Sequence, residues 1–192
     1  MEIEGAQASP PRPLRADARQ NYERLVAAAA AAIAELGPNV SLEEVAKRAG
    51  VGIGTLYRHF PNRQALLEAV YRDQVNMNCV RGRELLATQP PAEALQQWLH
   101  SLLTHNLTTR GLKEAMMAGE VSPQTSECKA QMHAIGGALL ARAQEAGLVR
   151  RDIEVTDLLR LTHSIALMVE PGAAGAARAE RVFEVMLAGL KS

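Results

Sequence analysis

The chain has 192 residues, of which 47% are apolar and 22% charged, a composition that suits one or two globular domains and excludes a largely disordered chain. Its 21 basic and 21 acidic residues give a formal net charge of zero. This argues against a protein that coats nucleic acid through overall basic charge, although a local basic face stays open. The two cysteines are too few for a disulfide framework, and their scarcity favours a reducing, cytoplasmic location. No stretch approaches the roughly 18 uninterrupted apolar residues of a membrane span, so we expect no membrane partner.

Residues 1–14 lack the basic and apolar regions of a signal peptide, and we predict a flexible tail there. Apolar residues then recur on one helical face between Asp17 and Leu36, around a run of alanines, which predicts the first helix. Gly37-Pro38 follows and ends this helix, because proline cannot continue a helix and glycine suits the left-handed position after one.

A second helix is predicted to begin at Ser41. Ser41 and Glu44 form an S-x-x-E capping box, in which each side chain would bond the other residue's backbone N–H. Gly50 ends this helix after about two turns. The remaining predicted helices cover about 53–60, 62–81, 90–107, 112–117, 123–146, 157–169 and 177–190.

The segment SLEEVAKRAGVGIGTLYRHF, residues 41–60, predicts two short helices joined by a tight turn at Gly50, where a positive φ is easy. Val45, Val51 and Leu56 are placed to pack the pair against the first helix. This is the geometry of a helix-turn-helix, whose second helix enters the DNA major groove. A phosphate-binding glycine loop is excluded, because a capped helix and no strand precedes the glycines and the third glycine is missing from its place.

The second helix of this pair carries side chains that suit DNA. Those that can bond phosphate oxygens are Thr55, Tyr57 and His59. Arg58 can bind the O6 and N7 atoms of guanine through two hydrogen bonds. Gly52 and Gly54 place no side chain at the start of the helix, so its backbone N–H groups could approach phosphate or base edges.

The sequence SLEEVAKRAGVGIGTLYRHFPNRQAL, residues 41–66, resembles the DNA-binding domain of the tetracycline-repressor (TetR) family, above all in its T-L-Y-x-H-F core. The resemblance covers roughly residues 18–75, and beyond them only a helical pattern after EAGLVRRDI is similar. It implies an all-α fold with two domains. Residues 15–62 would be a three-helix DNA-binding domain with a helix-turn-helix, and residues 63–192 a helical ligand-binding and dimerisation domain.

The resemblance also implies roles for individual residues. Phosphate contacts are implied for Ser41, Tyr57, His59 and Arg63, and groove contacts for Ile53, Gly54, Thr55 and Arg58. Lys47 and Gly52 complete our candidate DNA-binding residues. The implied partners are double-stranded DNA with a palindromic operator, a second copy of the chain and a small-molecule effector.

An effector pocket is implied among the C-terminal helices, and apolar side chains with a few polar groups are the candidates for its lining. These candidates are Trp98, Leu102, His105, Met116, Met117, Met132, His163 and Met168. Each of them could equally be an ordinary core residue.

Two apolar stripes on the last two long helices predict the dimer interface. They comprise Leu158, Leu161 and Ile165 on one helix and Val182, Val185 and Met186 on the other. Two stripes from each subunit would form a four-helix bundle under two-fold symmetry. The alternative is that the stripes only face the domain core.

The sequence holds no catalytic or metal-binding pattern: HExxH and paired CxxC are absent, and His100 and His105 are too poorly spaced to share a helical face. We therefore expect no cofactor and no enzymatic activity. The prediction is a transcriptional regulator, a repressor that a small molecule releases from DNA. The alternative is a helical enzyme, or a redox sensor using Cys79 or Cys128, with an appended helix-turn-helix.

Overall fold

The computed structural model describes residues 12–120 and 122–191, with side chains from residue 16 onward. The described residues form nine α-helices: α1 (Arg12–Leu36), α2 (Leu42–Ala49), α3 (Ile53–His59), α4 (Arg63–Thr88), α5 (Pro91–Thr108), α6 (Leu112–Met117), α7 (Pro123–Glu145), α8 (Val155–Leu167) and α9 (Ala173–Gly189). The predicted all-α class is confirmed over this part of the chain. Across the same residues, no helix combines the length and apolarity needed to cross a membrane.

Most helix bounds agree with the sequence prediction to within two residues, and α1, α4 and α9 differ more. Helix α1 begins at Arg12, so the predicted tail at 1–14 extends too far, and its first part, 1–11, lies outside the described residues. Helix α9 begins at Ala173 rather than 177. Helix α4 continues past the expected end near Arg81 to Thr88.

Gly82 lies within α4, directly after the predicted end of the helix. A Cβ at Gly82 would lie 2.3 Å from Ile135 Cγ2 and 3.1 Å from Trp98 Nε1. The glycine therefore lets α4 approach α5 and α7 closely, and its role is in packing rather than in breaking the helix. A glycine in the sequence is compatible with both a helix end and a close helix crossing, so the residue type alone could not distinguish them.

Two hydrophobic cores organise the chain. The first joins α1, α2, α3, the start of α4 and α6 around fully buried Leu25, Val45 and Leu56. The second joins the end of α4 to α5, α7, α8 and α9 around Trp98, whose Nε1 donates to the Asn78 carbonyl oxygen at 3.1 Å. The helix-turn-helix lies on the first core, and the second supports the candidate pocket and dimer faces.

Replacing Gly82 with alanine should destabilise the protein, because the methyl group would overlap Ile135 and Trp98. We expect a loss of about 1–3 kcal/mol in the free energy of unfolding. Gly137 is the matched control, since its Cβ would meet no atom within 4 Å, and Gly137→Ala should raise stability by up to about 1 kcal/mol. Urea unfolding at one fixed protein concentration measures both. Equal stability of Gly82→Ala and the wild type would contradict this account of the crossing.

Candidate nucleic-acid interface

The turn between α2 and α3 has the backbone geometry that the sequence predicts. Gly50 follows α2 in the left-handed conformation, with φ 65° and ψ 36°. At the other end of α2, the Ser41 hydroxyl accepts from the Glu44 N–H at 3.1 Å. The reciprocal half of the capping box is replaced, since Glu44 Oε1 accepts from Arg48 Nε at 2.7 Å instead. This hydrogen bond lowers the pKa of the Glu44 carboxyl.

Arg24 of α1 holds the turn in place, which the sequence analysis missed. Its Nη2 donates to the carbonyl oxygens of Ala49 and Gly50, at the C-terminus of α2. These carbonyls lack intrahelical partners, so a guanidinium there both satisfies them and complements the helix dipole. No local pattern could reveal these contacts, because Ala49 and Gly50 lie 25 and 26 residues after Arg24 in the sequence.

One face of α3 is exposed to solvent. Ile53 is 38% exposed and Tyr57 47% exposed. Gly54 and Arg58 lie beside them on the same face and are exposed as well. The opposite side is anchored by Leu56, which is fully buried. Of the four residues predicted to contact the groove, Ile53, Gly54 and Arg58 therefore lie on the exposed face together with Tyr57. Thr55 is half-buried.

His59 is more enclosed than the other candidate phosphate contacts. Its ring is half-buried and lies 6.2 Å from that of Tyr22 in an edge-on arrangement. The ring of Phe60 lies 5.2 Å from the ring of Tyr22. This aromatic group fixes the end of α3 on α1, so His59 has a structural role beside any contact with DNA.

Gly52 and Gly54 are not required by the fold. Gly52 has φ −69° and ψ 148°, which any residue can adopt. A Cβ at either glycine would meet no atom of the chain within 4 Å. The absence of side chains here therefore leaves open space at the surface, as a closely approaching partner would need.

Only part of the basic charge of this domain is free for a partner. Lys47 and Arg58 are exposed and form no ion pair with the described carboxylates. Arg48 is bound to Glu35 and Glu44. The charge of Arg48 therefore holds α1 and α2 together and is not free for a partner.

Arg63 also has a role that the sequence did not indicate. Its Nη1 donates to the Pro38 carbonyl oxygen at 2.8 Å, and Nη2 lies 3.5 Å from the Asn39 carbonyl oxygen. The predicted phosphate contact of Arg63 thus competes with an observed contact to the loop between α1 and α2.

The predicted pocket residues divide into two groups. A cavity of about 370 Å³ among α4 to α8 is lined by four of them: Leu102, Met117, Met132 and His163. The other four lie elsewhere, which corrects the prediction. Trp98 and Met116 are fully buried in the two cores, His105 bonds the Ser101 carbonyl oxygen through Nδ1, and Met168 is 62% exposed. Composition could not separate these groups, since methionine and histidine suit both settings.

The predicted dimer stripes are also only half right in their placement. Leu158 and Ile165 are buried in the core of their own subunit, so they are not available to a partner. Leu161 is 48% exposed and Val185 72% exposed. Val182 and Met186 are half-buried and pack against the second core. The exposed face of α8 is thus rotated by roughly a quarter turn from the predicted stripe.

The first three helices, with the turn at Gly50 and the exposed face of α3, define a helix-turn-helix protein. The family model for bacterial regulatory proteins of the tetR family matches residues 25–70. The model for the C-terminal domain of SbtR-like transcriptional regulators, a TetR C-terminal domain, matches residues 90–192, more than half of the chain. The chain therefore belongs to the TetR family of transcriptional regulators.

Solved structures and curated proteins agree with this assignment. A TetR transcriptional regulator from Streptomyces coelicolor is 36% identical, with 88% of this chain and 98% of that chain covered and a TM-score of 0.71. A TetR regulatory protein from Mycobacterium vanbaalenii is also 36% identical, with 94% and 100% covered and a TM-score of 0.70. An HTH-type transcriptional regulator of Staphylococcus aureus (strain USA300) is 29% identical over 108 residues, 55% of this chain. The chain spans 58% of the length of that curated relative. These relatives are transcriptional regulators and not enzymes.

Gly54→Ala separates the needs of the fold from those of a DNA surface. Within α3 the added methyl group meets nothing and improves helix propensity, so stability should rise by about 0.5–1 kcal/mol. On DNA the same methyl group should weaken binding by about tenfold, equal to about 1.4 kcal/mol. Thermal unfolding and fluorescence anisotropy with labelled duplex DNA measure the two effects. Gly137→Ala is the control, with raised stability and unchanged DNA affinity. Full DNA affinity of Gly54→Ala would contradict close approach at α3.

Proposed function

We propose that this protein is a homodimeric repressor that binds a palindromic operator through α3 and is released by a small-molecule effector. The observation that carries the proposal is the exposed face of α3, where Ile53, Tyr57 and Arg58 surround a glycine that the fold does not need. A short helix of this kind can enter the major groove, where arginine reads guanine and other side chains bond phosphates. Such a regulator would act in the cytoplasm.

Exposed apolar residues of α8 and α9 support the dimer. Leu161 of α8 and Met168, directly after α8, are both exposed, and Val185 is the most exposed large apolar side chain of α9. Two small residues of α9, Ala177 and Ala188, are exposed on one face about three turns apart and would allow close helix packing. We expect a two-fold interface between these faces to hold two copies of α3 about one DNA turn apart, roughly 34 Å, as a palindrome requires.

Helix α6 supports a route from the cavity to the DNA-binding domain. Two of its side chains, Leu112 and Met116, are buried in the first core. Two others, Lys113 and Met117, line the cavity. A ligand that moves α6 therefore moves residues that pack directly on the DNA-binding domain. This shifts the population away from the spacing that matches two half-sites.

A second route runs through the start of α4. Gln64 Nε2 donates to the Met116 carbonyl oxygen at 2.6 Å. Because α4 begins four residues after α3 ends, a displacement of α6 is carried to the recognition helix by a hydrogen bond as well as by packing.

The redox alternative is less well supported. Cys79 is fully buried, and burial raises the pKa of its thiol. The reactive thiolate form is thereby disfavoured. Cys128 is half-buried, and its charge also raises the pKa of the Cys79 thiol, but both cysteines are free and form no disulfide.

Selection from a random duplex library tests operator recognition. The wild-type protein should enrich a two-fold symmetric sequence. Arg58→Ala should relax the preference at one base pair in each half-site, by about 1–3 kcal/mol, because Arg58 is exposed and free to reach a base. Absence of any enriched sequence would contradict the proposed function.

Arg63→Ala is the comparison variant in the same selection. It should leave the preferred sequence unchanged and weaken binding to all duplexes alike. It should also lower the free energy of unfolding by about 1–3 kcal/mol, because the Pro38 carbonyl oxygen loses a charge-assisted hydrogen bond. A shift in base preference with unchanged stability would make Arg63 a base-reading residue instead.

Val185→Glu tests the dimer. A carboxylate at this exposed position should yield folded monomers that lose operator affinity, since one half-site is then bound alone. Val80→Glu is the matched control, because Val80 is 44% exposed on α4, away from the proposed interface, and it should stay dimeric. Sedimentation velocity and circular dichroism report assembly and folding. A folded Val185→Glu variant that stays dimeric with normal DNA affinity would overturn this interface.

A further inference from the structure

The cavity among α4 to α8 differs from the other clefts in its charge. Twelve residues of α4, α5, α6, α7 and α8 line it. Three of these twelve are lysine or arginine, and none is aspartate or glutamate. Two larger clefts, of about 500 and 600 Å³, each carry one acidic and one basic residue. An excess of positive charge is therefore specific to the cavity beside α6.

The three cations of the cavity lack ionic partners within the described part of the chain. Lys113, Lys129 and Arg160 form no ion pair with a described carboxylate. Lys129 Nζ lies 3.2 Å from Met117 Sδ and 5.9 Å from the centroid of the Tyr71 ring. A sulfur atom and a ring face are weak partners for an ammonium group, and the rest of this half-buried group's hydrogen bonding is left to solvent. An anion would satisfy it better.

The charged form of Lys113 is destabilised by its surroundings in the cavity. Burial lowers the pKa of Lys113, and the positive charges of Lys129 and Arg160 lower it further. Glu114 opposes these effects in part. However, Glu114 Oε1 is already bound to His163 Nε2 at 2.7 Å. The ammonium group of Lys113 is thus half-buried beside like charges, and a negative charge in the cavity would stabilise it.

The rest of the lining favours an apolar body with polar anchoring. Leu102, Met132 and Leu159 present hydrocarbon and thioether surface. Burial raises the pKa of Tyr71 to about 12, so its hydroxyl stays protonated at neutral pH and can donate a hydrogen bond to an oxyanion. The volume of about 370 Å³ is near the lower end for small-molecule sites, which favours a compact ligand.

We propose that this cavity binds a small organic acid, with its carboxylate among Lys113, Lys129 and Arg160 and its apolar body against Leu102, Met132 and Leu159. The inference deepens the proposed function, on which it rests, by naming the chemical class of the effector. It also gives α6 a direct part in sensing, because Lys113 of α6 would contact the carboxylate while its neighbours Leu112 and Met116 pack on the DNA-binding domain.

Matched probes of one length test the class of ligand. Octanoate, 1-octanol and octylamine share an alkyl chain and differ in the charge of the head group. Calorimetric titration of the DNA-free dimer should show octanoate binding about tenfold or more tighter than 1-octanol, because only the carboxylate forms charge-assisted hydrogen bonds with the cations. Octylamine should bind weakest. 4-Phenylbutyrate provides a second acid with a different body. Equal affinity for octanoate and 1-octanol, or no binding of either acid, would overturn the proposal.

Variants locate the carboxylate. Lys113→Met and Lys129→Met should each weaken octanoate binding by about tenfold and leave 1-octanol binding unchanged. Lys191→Met is the matched control, since Lys191 lines the cleft of about 500 Å³ instead, and it should bind octanoate normally. Loss of octanoate binding in Lys191→Met with normal binding in Lys113→Met would place the acid in the other cleft and overturn the assignment. Circular dichroism of each variant confirms that it is folded.

DNA binding is measured separately, so the two proposals can fail independently. Octanoate should reduce affinity for the selected operator in the wild type but not in Lys113→Met. Octanoate binding by a protein that enriches no operator would contradict the proposed function and leave the acid site standing. Operator binding by a protein that binds neither acid would overturn the acid site alone.

Discussion

The burial of α4 in both hydrophobic cores is the constraint on which the rest of the structure depends. Near its start, Leu66, Leu67 and Val70 pack into the core of the DNA-binding domain. Near its end, Leu85 packs into the core of the C-terminal domain. With 26 residues at 1.5 Å per residue, α4 is about 39 Å long. The two domains are therefore joined by one continuous helix, and a change in its tilt at one end is transmitted to the other.

A buried carboxylate fixes this helix to α7. Burial alone would raise the pKa of Glu68, but hydrogen bonds from the side chains of Ser122 and Thr125 outweigh it and lower the pKa. Thr125 Oγ1 donates to Glu68 Oε2 at 2.8 Å. An ionised Glu68 thus holds the start of α7 against α4. Because Leu112 and Met116 of α6 are buried in the core of the DNA-binding domain, a movement of α6 would disturb that domain.

The parts of the fold that depend on neighbouring residues were predictable from the sequence, and the parts that depend on distant residues were not. The Ser41 cap, the turn at Gly50 and the end of α1 follow from local rules of helix termination. The contacts of Arg24 and Arg63 with backbone carbonyls could not be predicted from such rules, because each joins residues about 25 positions apart. The stripe on α8 failed for a related reason. Periodicity shows that a helix has an apolar face, but not whether its own subunit or a partner covers it.

Several arginines of the DNA-binding domain bind other parts of the same domain, and this affects how the proposed repressor would work. Lys47 and Arg58 are exposed and unpaired among the described residues, whereas Arg24, Arg48 and Arg63 hold elements of the domain together. Few phosphate contacts per subunit give weak non-specific binding, since that binding comes almost entirely from released counterions. Affinity for the operator then depends on base contacts and on both half-sites being engaged at once. A dimer of this kind needs only a small change in the separation of its α3 helices to leave DNA. In the proposed mechanism, the short helix α6 would supply such a change when an effector fills the cavity beside it.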